Sequence, residues 1–395
     1  MTKIKKVSLN NRLFIVFLIL PFLEPEFLNF HARINAFFLL WEIFNCLFLI
    51  YIYIKKRQFS PYFGVIFLWR FYIGLISLIK NGNIDKTSLG RTVFILGLTL
   101  AIELGLKSAP MDTLWGLFYV MLGLSSFNLL SCFTNGMVVN NGVPYYVFGL
   151  RTRFTDSAVP LITLSLLLSW FSEHKLFSKI SITALVIVVV QLLVKWVATG
   201  IFVVLILLLV VMISDHYSWR IPPRTSLLVG IGFIISIVFF RIQSLFSFII
   251  VNLLHKSLDF HGRIEIWNAA IKVIKTSLFT GFGEKGDGGF VYVWWAPTLA
   301  PAHDMLLQLL HDGGLISCAL LLLAYYLAVN NLRNIDKRTA NILTAAVLAT
   351  CFAVLTEITS YYAYFYILPV LCSCAQQLRE LGTQENDPLE LDNGE

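Results

Sequence analysis

His303 is the side chain whose type and setting best suit chemistry in this 395-residue chain. Pro301-Ala302-His303-Asp304 precedes a leucine-rich run (Leu306, Leu307, Leu309, Leu310), and a proline ahead of such a run marks a helix N-terminus. An imidazole there sits at the positive end of a helix dipole, which disfavours its protonated form. A neutral imidazole at neutral pH is what a general base requires. The plain alternative is an interfacial histidine with no chemistry. His311, two turns further on and on a similar face, is the decoy.

Basic residues supply the other half of a reaction centre. Arg151 and Arg153 flank Thr152 just before an apolar run, Arg241 closes another run, and Lys195 occupies a short turn. A guanidinium holds phosphate oxygens bidentately and keeps its charge, so several around one pocket would suit a diphosphate. Each alone serves equally as a lipid headgroup anchor. Glu265, Asn268, Lys272 and Lys275 form the polar stripe of a segment whose Trp267, Ile271, Ile274 and Leu278 repeat at helical spacing. This amphipathic helix is too short in apolar residues to span and is expected along the membrane surface, its lysines meeting lipid phosphates or an anionic lipid-linked substrate. The following Thr280-Gly281-Phe282-Gly283, with Gly286, Gly288 and Gly289, matches no Walker or dinucleotide pattern; a turn and a mobile rim to a cleft are expected.

The elements that position these residues are set by composition. Hydrophobic residues make up 57% and charged residues 13%, against about 25% charged in an ordinary soluble domain. Mean hydropathy is +0.77. So few charges cannot cover a soluble surface. The net charge of +7 would suggest nucleic acid in a soluble protein, but these basic residues lie between apolar runs, where they set membrane orientation. No nucleic acid partner is expected. Cys46, Cys132, Cys318, Cys351, Cys372 and Cys374 fall in or beside apolar runs and read as small core hydrophobes, so neither a metal site nor a disulfide framework is expected.

The fold class is therefore an all-α integral membrane protein with about twelve transmembrane helices, each needing about 20 apolar residues. Expected spans are 13–30, 36–54, 61–79, 92–106, 112–133, 157–171, 177–194, 198–214, 226–242, 314–332, 340–357 and 359–377. The chain divides into a membrane domain of about nine spans (1–242), a large extracytoplasmic loop with amphipathic helices (243–313), C-terminal spans (314–378) and an acidic cytoplasmic tail (379–395). Lys3, Lys5 and Lys6 precede an uncleaved first span. With both termini in the cytoplasm, Lys55, Lys56, Arg57, Lys175, Lys179, Arg220, Arg224, Arg333, Lys337 and Arg338 all face inward. Lys80, Lys86 and Arg91 are the exception. Glu42, Arg70, Glu103 and Glu357, placed within spans, are costly unless paired.

The order of elements in and after the loop resembles the bacterial O-antigen ligase and O-antigen polymerase superfamily. The shared pattern runs from His261-Gly262-Arg263-Ile264-Glu265-Ile266-Trp267 through Gly281-Phe282-Gly283 to His303 and Gly314-Leu315-Ile316 entering a span. It departs at Asp304, where asparagine is usual, and at Ser317-Cys318, where glycine follows. The family's arginine at the start of a middle span has Lys195 as its nearest substitute. The resemblance implies a glycosyltransferase in the bacterial cytoplasmic membrane that takes a glycan from an undecaprenyl-diphosphate carrier at the outer face, inverting and without nucleotide sugar, metal or cofactor. It gives His303 the role of base and Arg263 a place beside it. Implied partners are undecaprenyl-diphosphate-linked oligosaccharide, membrane lipids, and chain-length regulator and flippase proteins. A repeat-unit polymerase is the leading expectation. A ligase uses the same site, and a polysaccharide flippase is the alternative of another class.

Overall fold

The computed structural model describes residues 11–57, 59–242, 262–286, 288–295 and 298–383. The N-terminal lysines, the first part of the expected loop (243–261) and the end of the acidic tail (384–395) lie outside the described residues. Local chemistry sets most helix boundaries. Asn11 caps α1 (Arg12–Ile19), which gives way at Leu20-Pro21 to 3-10 turns as far as Phe30. α2 (Ala32–Lys56) follows, then α3 (Pro61–Asn81) with Ser60 and Pro61 at its start, and α4 (Lys86–Ser108) capped by Asp85. α5 (Pro110–Cys132) leads into a small antiparallel hairpin of β1 (Val138–Asn140) and β2 (Val143–Tyr145), Val139 facing Pro144. A 3-10 turn, Arg151–Arg153, opens α6 (Phe154–Glu173), followed by α7 (Lys179–Val194), α8 (Ala198–His216) and α9 (Pro223–Phe240). α10 (Arg263–Ile274) precedes α11 (Met305–Asn330), α12 (Lys337–Ala353), α13 (Tyr364–Ser373) and α14 (Ala375–Thr383).

The architecture is all-α and membrane-spanning in kind: among the described residues, eight helices are long and apolar enough to cross a bilayer, namely α2 to α6, α8, α9 and α11. The other four expected spans correspond to shorter helices. Pro21 and Glu24-Pro25-Glu26 stop α1 early, α7 has 16 residues and α12 has 17. The expected span 359–377 divides into a 3-10 turn (Thr359–Tyr361), α13 with Pro369 inside it, and α14. α11 is two helical stretches meeting at Gly314, the second of them matching the expected span 314–332.

Burial ranks the helices. The span containing α6 is 94% buried and that of α2 only 28%, so α6 is the hub and α2 lies on the rim. α5, α7, α8, α12 and α13 pack around α6. Side-chain contacts sort the connections into two ends of the bundle. At one end Arg12 meets Asp112 (2.9 Å), Lys56 meets Ser108 (2.9 Å) and Arg338 meets Asp215 (2.7 Å). At the other, Glu26 meets Arg153, Arg91 meets Glu284 (2.6 Å) and Arg241 meets Asn268 (2.8 Å). The basic clusters read as inward-facing gather at the first end. Of the three exceptions to that pattern, Arg91 is buried against the Glu284 carboxylate, whereas Lys80 and Lys86 are exposed.

Candidate functional site

Asp304 is the N-cap of α11, its Oδ1 accepting the Leu307 N–H at 2.8 Å, and His303 stands one residue ahead. His303 adopts a left-handed backbone, φ +49°, which costs a non-glycine residue about 1 kcal/mol or more. Its neighbours hold it there. The Ala302 carbonyl accepts from Trp267 Nε1 (3.1 Å), the Ala302 N–H donates to Gln308 Oε1 (3.2 Å), and Met305 N–H donates to the Val354 carbonyl (3.0 Å). Burial pushes the His303 imidazole down to about 4, and the nearby positive charges of Arg263 and Arg153 push the same way. The ring is neutral at neutral pH, as a base must be. Burial is the largest cause of the shift, followed by Arg263 and Arg153.

Arg263, first residue of α10, reaches Glu357 in the connection after α12 (3.4 Å). Arg153 meets Glu26 and lies 4.3 Å over the Tyr362 ring. Arg241, a left-handed C-cap of α9, donates to Asn268 and lies 5.1 Å over Trp267. Asp304 feels both Arg263 and Arg241, yet burial still pushes its carboxyl up to about 7. The structure thus brings together His303, Arg263, Arg153 and Arg241. It does not bring in the rest of the expected set. Arg151 is exposed, and Lys195 turns onto the Tyr146 ring at 4.9 Å. Glu265 is exposed and accepts from Trp295 Nε1 (3.3 Å), and Lys272 is exposed on α10. Tyr362 and Glu26 were missed: no local pattern marks them, since they join the cluster only through long-range packing.

α10 packs one face against the protein. Ile266, Trp267, Ala270 and Ile274 are buried, and the helix packs on α11. Of its apolar stripe, Trp267 and Ile274 are covered by protein, while Ile271 is half-buried and Leu278 exposed.

The glycine segment departs from the expected mobile rim. α11 breaks at Gly314 (φ +63°, ψ −161°), and a break strands backbone groups that a helix would pair. Residues 278–283 take them up. Phe282 and Gly283 N–H donate to the carbonyls of His311 (2.7 Å) and Asp312 (3.0 Å). Leu315 and Ile316 N–H donate to the carbonyls of Leu278 (2.9 Å) and Phe279 (3.3 Å). A Cβ at Gly281 would meet the His311 carbonyl oxygen, so only glycine fits. The expected mobile rim is a strap hydrogen-bonded across the break, buried at Gly281 and Gly283 and exposed at Leu278 and Phe279.

Beside the strap lies a second polar cluster. Glu284 takes Arg70 (2.8 Å) and Arg91 (2.6 Å), plus Ser88 Oγ (2.9 Å). Burial alone would raise its carboxyl, but the two arginines hold it below the usual range. Arg91 also stacks 3.7 Å over Tyr361, whose hydroxyl donates to Asp312 (2.5 Å). His311 is buried between Phe282 and Phe290, with Nδ1 on Asp312 (2.9 Å). The decoy histidine is fixed by ring stacking and by Asp312.

No family model, curated protein or solved structure matches this chain.

Proposed function

We propose that the chain is a membrane glycosyltransferase that acts on a polyprenyl-diphosphate-linked glycan, and that within this class it is a repeat-unit polymerase. The observation that carries the reading is His303, a neutral imidazole in a clamped left-handed conformation, facing Arg263 and Arg153. In the proposed step His303 accepts the proton of an acceptor hydroxyl as that oxygen bonds to the anomeric carbon of the donor sugar. The bond from that carbon to the diphosphate oxygen breaks, and the carrier diphosphate leaves as an anion. Guanidinium groups stabilise the charge gathering on it, which is the larger part of such catalysis. A diphosphate also neutralises the two arginines that depress His303, so donor binding raises the basicity of the base.

In this reading α1, α7, α12 and the α13–α14 segment count as short crossings, giving about twelve. Both termini then lie in the cytoplasm of a bacterial cell and the site on the outer face of its cytoplasmic membrane, consistent with the basic clusters at the opposite end. The test is deletion of the gene in its host, with His303→Ala complementation and gels of lipid-linked and surface glycans. Collapse of the ladder to a single repeat unit, not restored by His303→Ala, supports a polymerase. Long lipid-linked chains that never reach their final acceptor indicate a ligase. Accumulation of repeats on the cytoplasmic side indicates a flippase and overturns the transferase.

A further inference from the structure

Backbone pairing of Val291 with Ala300 (3.0 and 2.8 Å) fixes a short extended segment just ahead of His303. Val291 and Val293 turn inward and are buried, whereas Tyr292 and Trp294 are 76% and 78% exposed. That alternation puts the two rings on one face, about 7 Å apart. Among the described residues neither side chain has a hydrogen bond or ring contact with the rest of the protein. Trp295, beside them, donates its indole N–H to Glu265 (3.3 Å). Its ring lies 3.3 Å from where a Cβ on Gly262 would stand, one residue from Arg263. The rings are thus continuous with the His303 cluster, through Trp295 to α10 and through residues 300–303 to His303 itself.

Two features argue against lipid as what covers these rings. Among the described residues no acceptor takes the backbone N–H of Tyr292, Val293 or Trp294, and hydrocarbon offers such groups no partner, so they belong in water. Phosphate headgroups attract cations, but the stretch 286–304 contains no lysine or arginine, and Trp295 is joined to a carboxylate instead. The exposed Trp196, by contrast, directly follows Lys195, a combination that suits an interfacial anchor. A solvated row of rings, edged by a carboxylate and free N–H groups, fits an uncharged polyhydroxylated chain. The C–H faces of sugar rings pack flat on indole and phenol rings, and their hydroxyls bond to the carboxylate and the amides.

We infer that Tyr292, Trp294 and Trp295, with Glu265, form a subsite that holds consecutive sugar rings of a glycan leading away from His303. The inference rests on the glycan-transfer reading and deepens it: affinity comes from sugars remote from the reacting bond as well as from the diphosphate.

The test is binding to the purified full chain in detergent. The probe is the oligosaccharide released by mild acid from the host's lipid-linked glycans, free of lipid and phosphate and tritium-labelled by reduction. Saturable binding is expected. Trp294→Ala and Tyr292→Ala should each weaken it by about tenfold with the melting temperature unchanged, while Trp196→Ala leaves it alone. Absence of saturable binding, or binding that neither substitution weakens, overturns the subsite. In nanodiscs of brominated phosphatidylcholine, the fluorescence that Trp294→Ala removes should be unquenched; quenching by the brominated lipid places Trp294 in the bilayer and also overturns the subsite. Transfer is assayed alongside, so the two readings fail separately. Transfer abolished by His303→Ala with no Trp294-dependent binding defeats the subsite alone. Trp294-dependent binding with transfer intact in His303→Ala defeats the transferase chemistry alone.

Discussion

Two charged clusters lie at the same end of the bundle, within one residue of each other along the chain at Tyr361 and Tyr362, and they are built on opposite plans. In the Glu284 cluster every charge is answered: both carboxylate oxygens take a guanidinium, and a serine and a backbone carbonyl complete the set. In the His303 cluster the answers are incomplete. Asp304 Oδ2 and Arg241 Nη1 are buried and have no partner among the described residues, and His303 is strained. A saturated network fixes a loop to its helices, whereas an unsaturated one leaves capacity for a ligand. Charge alone does not distinguish a site from a strut; the unmet valence does.

The comparison breaks first at His303. Its replacement by alanine should lower transfer by about 10²- to 10⁴-fold, measured on lipid-linked donor with purified protein, while the melting temperature stays near wild type. A loss of folding instead would make His303 a strut. Glu284→Ala should do the reverse. It strands two buried guanidiniums and should cost about 3–5 kcal/mol of stability, seen as a large fall in melting temperature. A folded but inactive Glu284→Ala would place the chemistry in the wrong cluster.

Arg263→Lys keeps the charge and loses the planar fork, so transfer should drop by about tenfold or more with little change in melting. Smaller again is a pH effect. His303 sits near 4 in the folded chain against 6.5 ordinarily, so its neutral form belongs to the folded state. The stability it contributes is therefore complete above about 6.5 and lost as pH falls toward about 4. Asp304, raised to about 7, acts in the opposite sense over much of the same window. The difference between wild type and His303→Gln removes that background: the variant should gain in relative melting temperature as pH falls from about 6.5 to 4. Least of all, Lys272→Ala on the exposed face of α10 should change stability by under about 0.5 kcal/mol and leave transfer intact.

The sequence made the apolar runs legible, because span length and apolar content are properties of consecutive residues; 61–79 was expected and α3 covers Pro61–Asn81. His303 was legible as a polar residue ahead of a helical pattern, whereas Arg263 was marked only by the resemblance. Glu284 was not, since its partners Arg70 and Arg91 lie 214 and 193 residues away and nothing local announces them. Gly281 and Gly283 announced a turn but not its partner, because the contacts are made by backbone and any sequence offers the same carbonyls. The short helices were legible as apolar runs, but proline and acidic residues set their ends only once packing held them.

The stitched break at Gly314 has a consequence for biogenesis. The helix cannot pair its own backbone there, and unpaired groups in hydrocarbon cost several kcal/mol each. The segment that completes it, 278–283, precedes residue 314 in the chain and so leaves the ribosome first. The patch is in hand before the gap appears, and α11 can settle only after the loop has docked. Assembly order is written into the chain by which side of the gap the strap occupies.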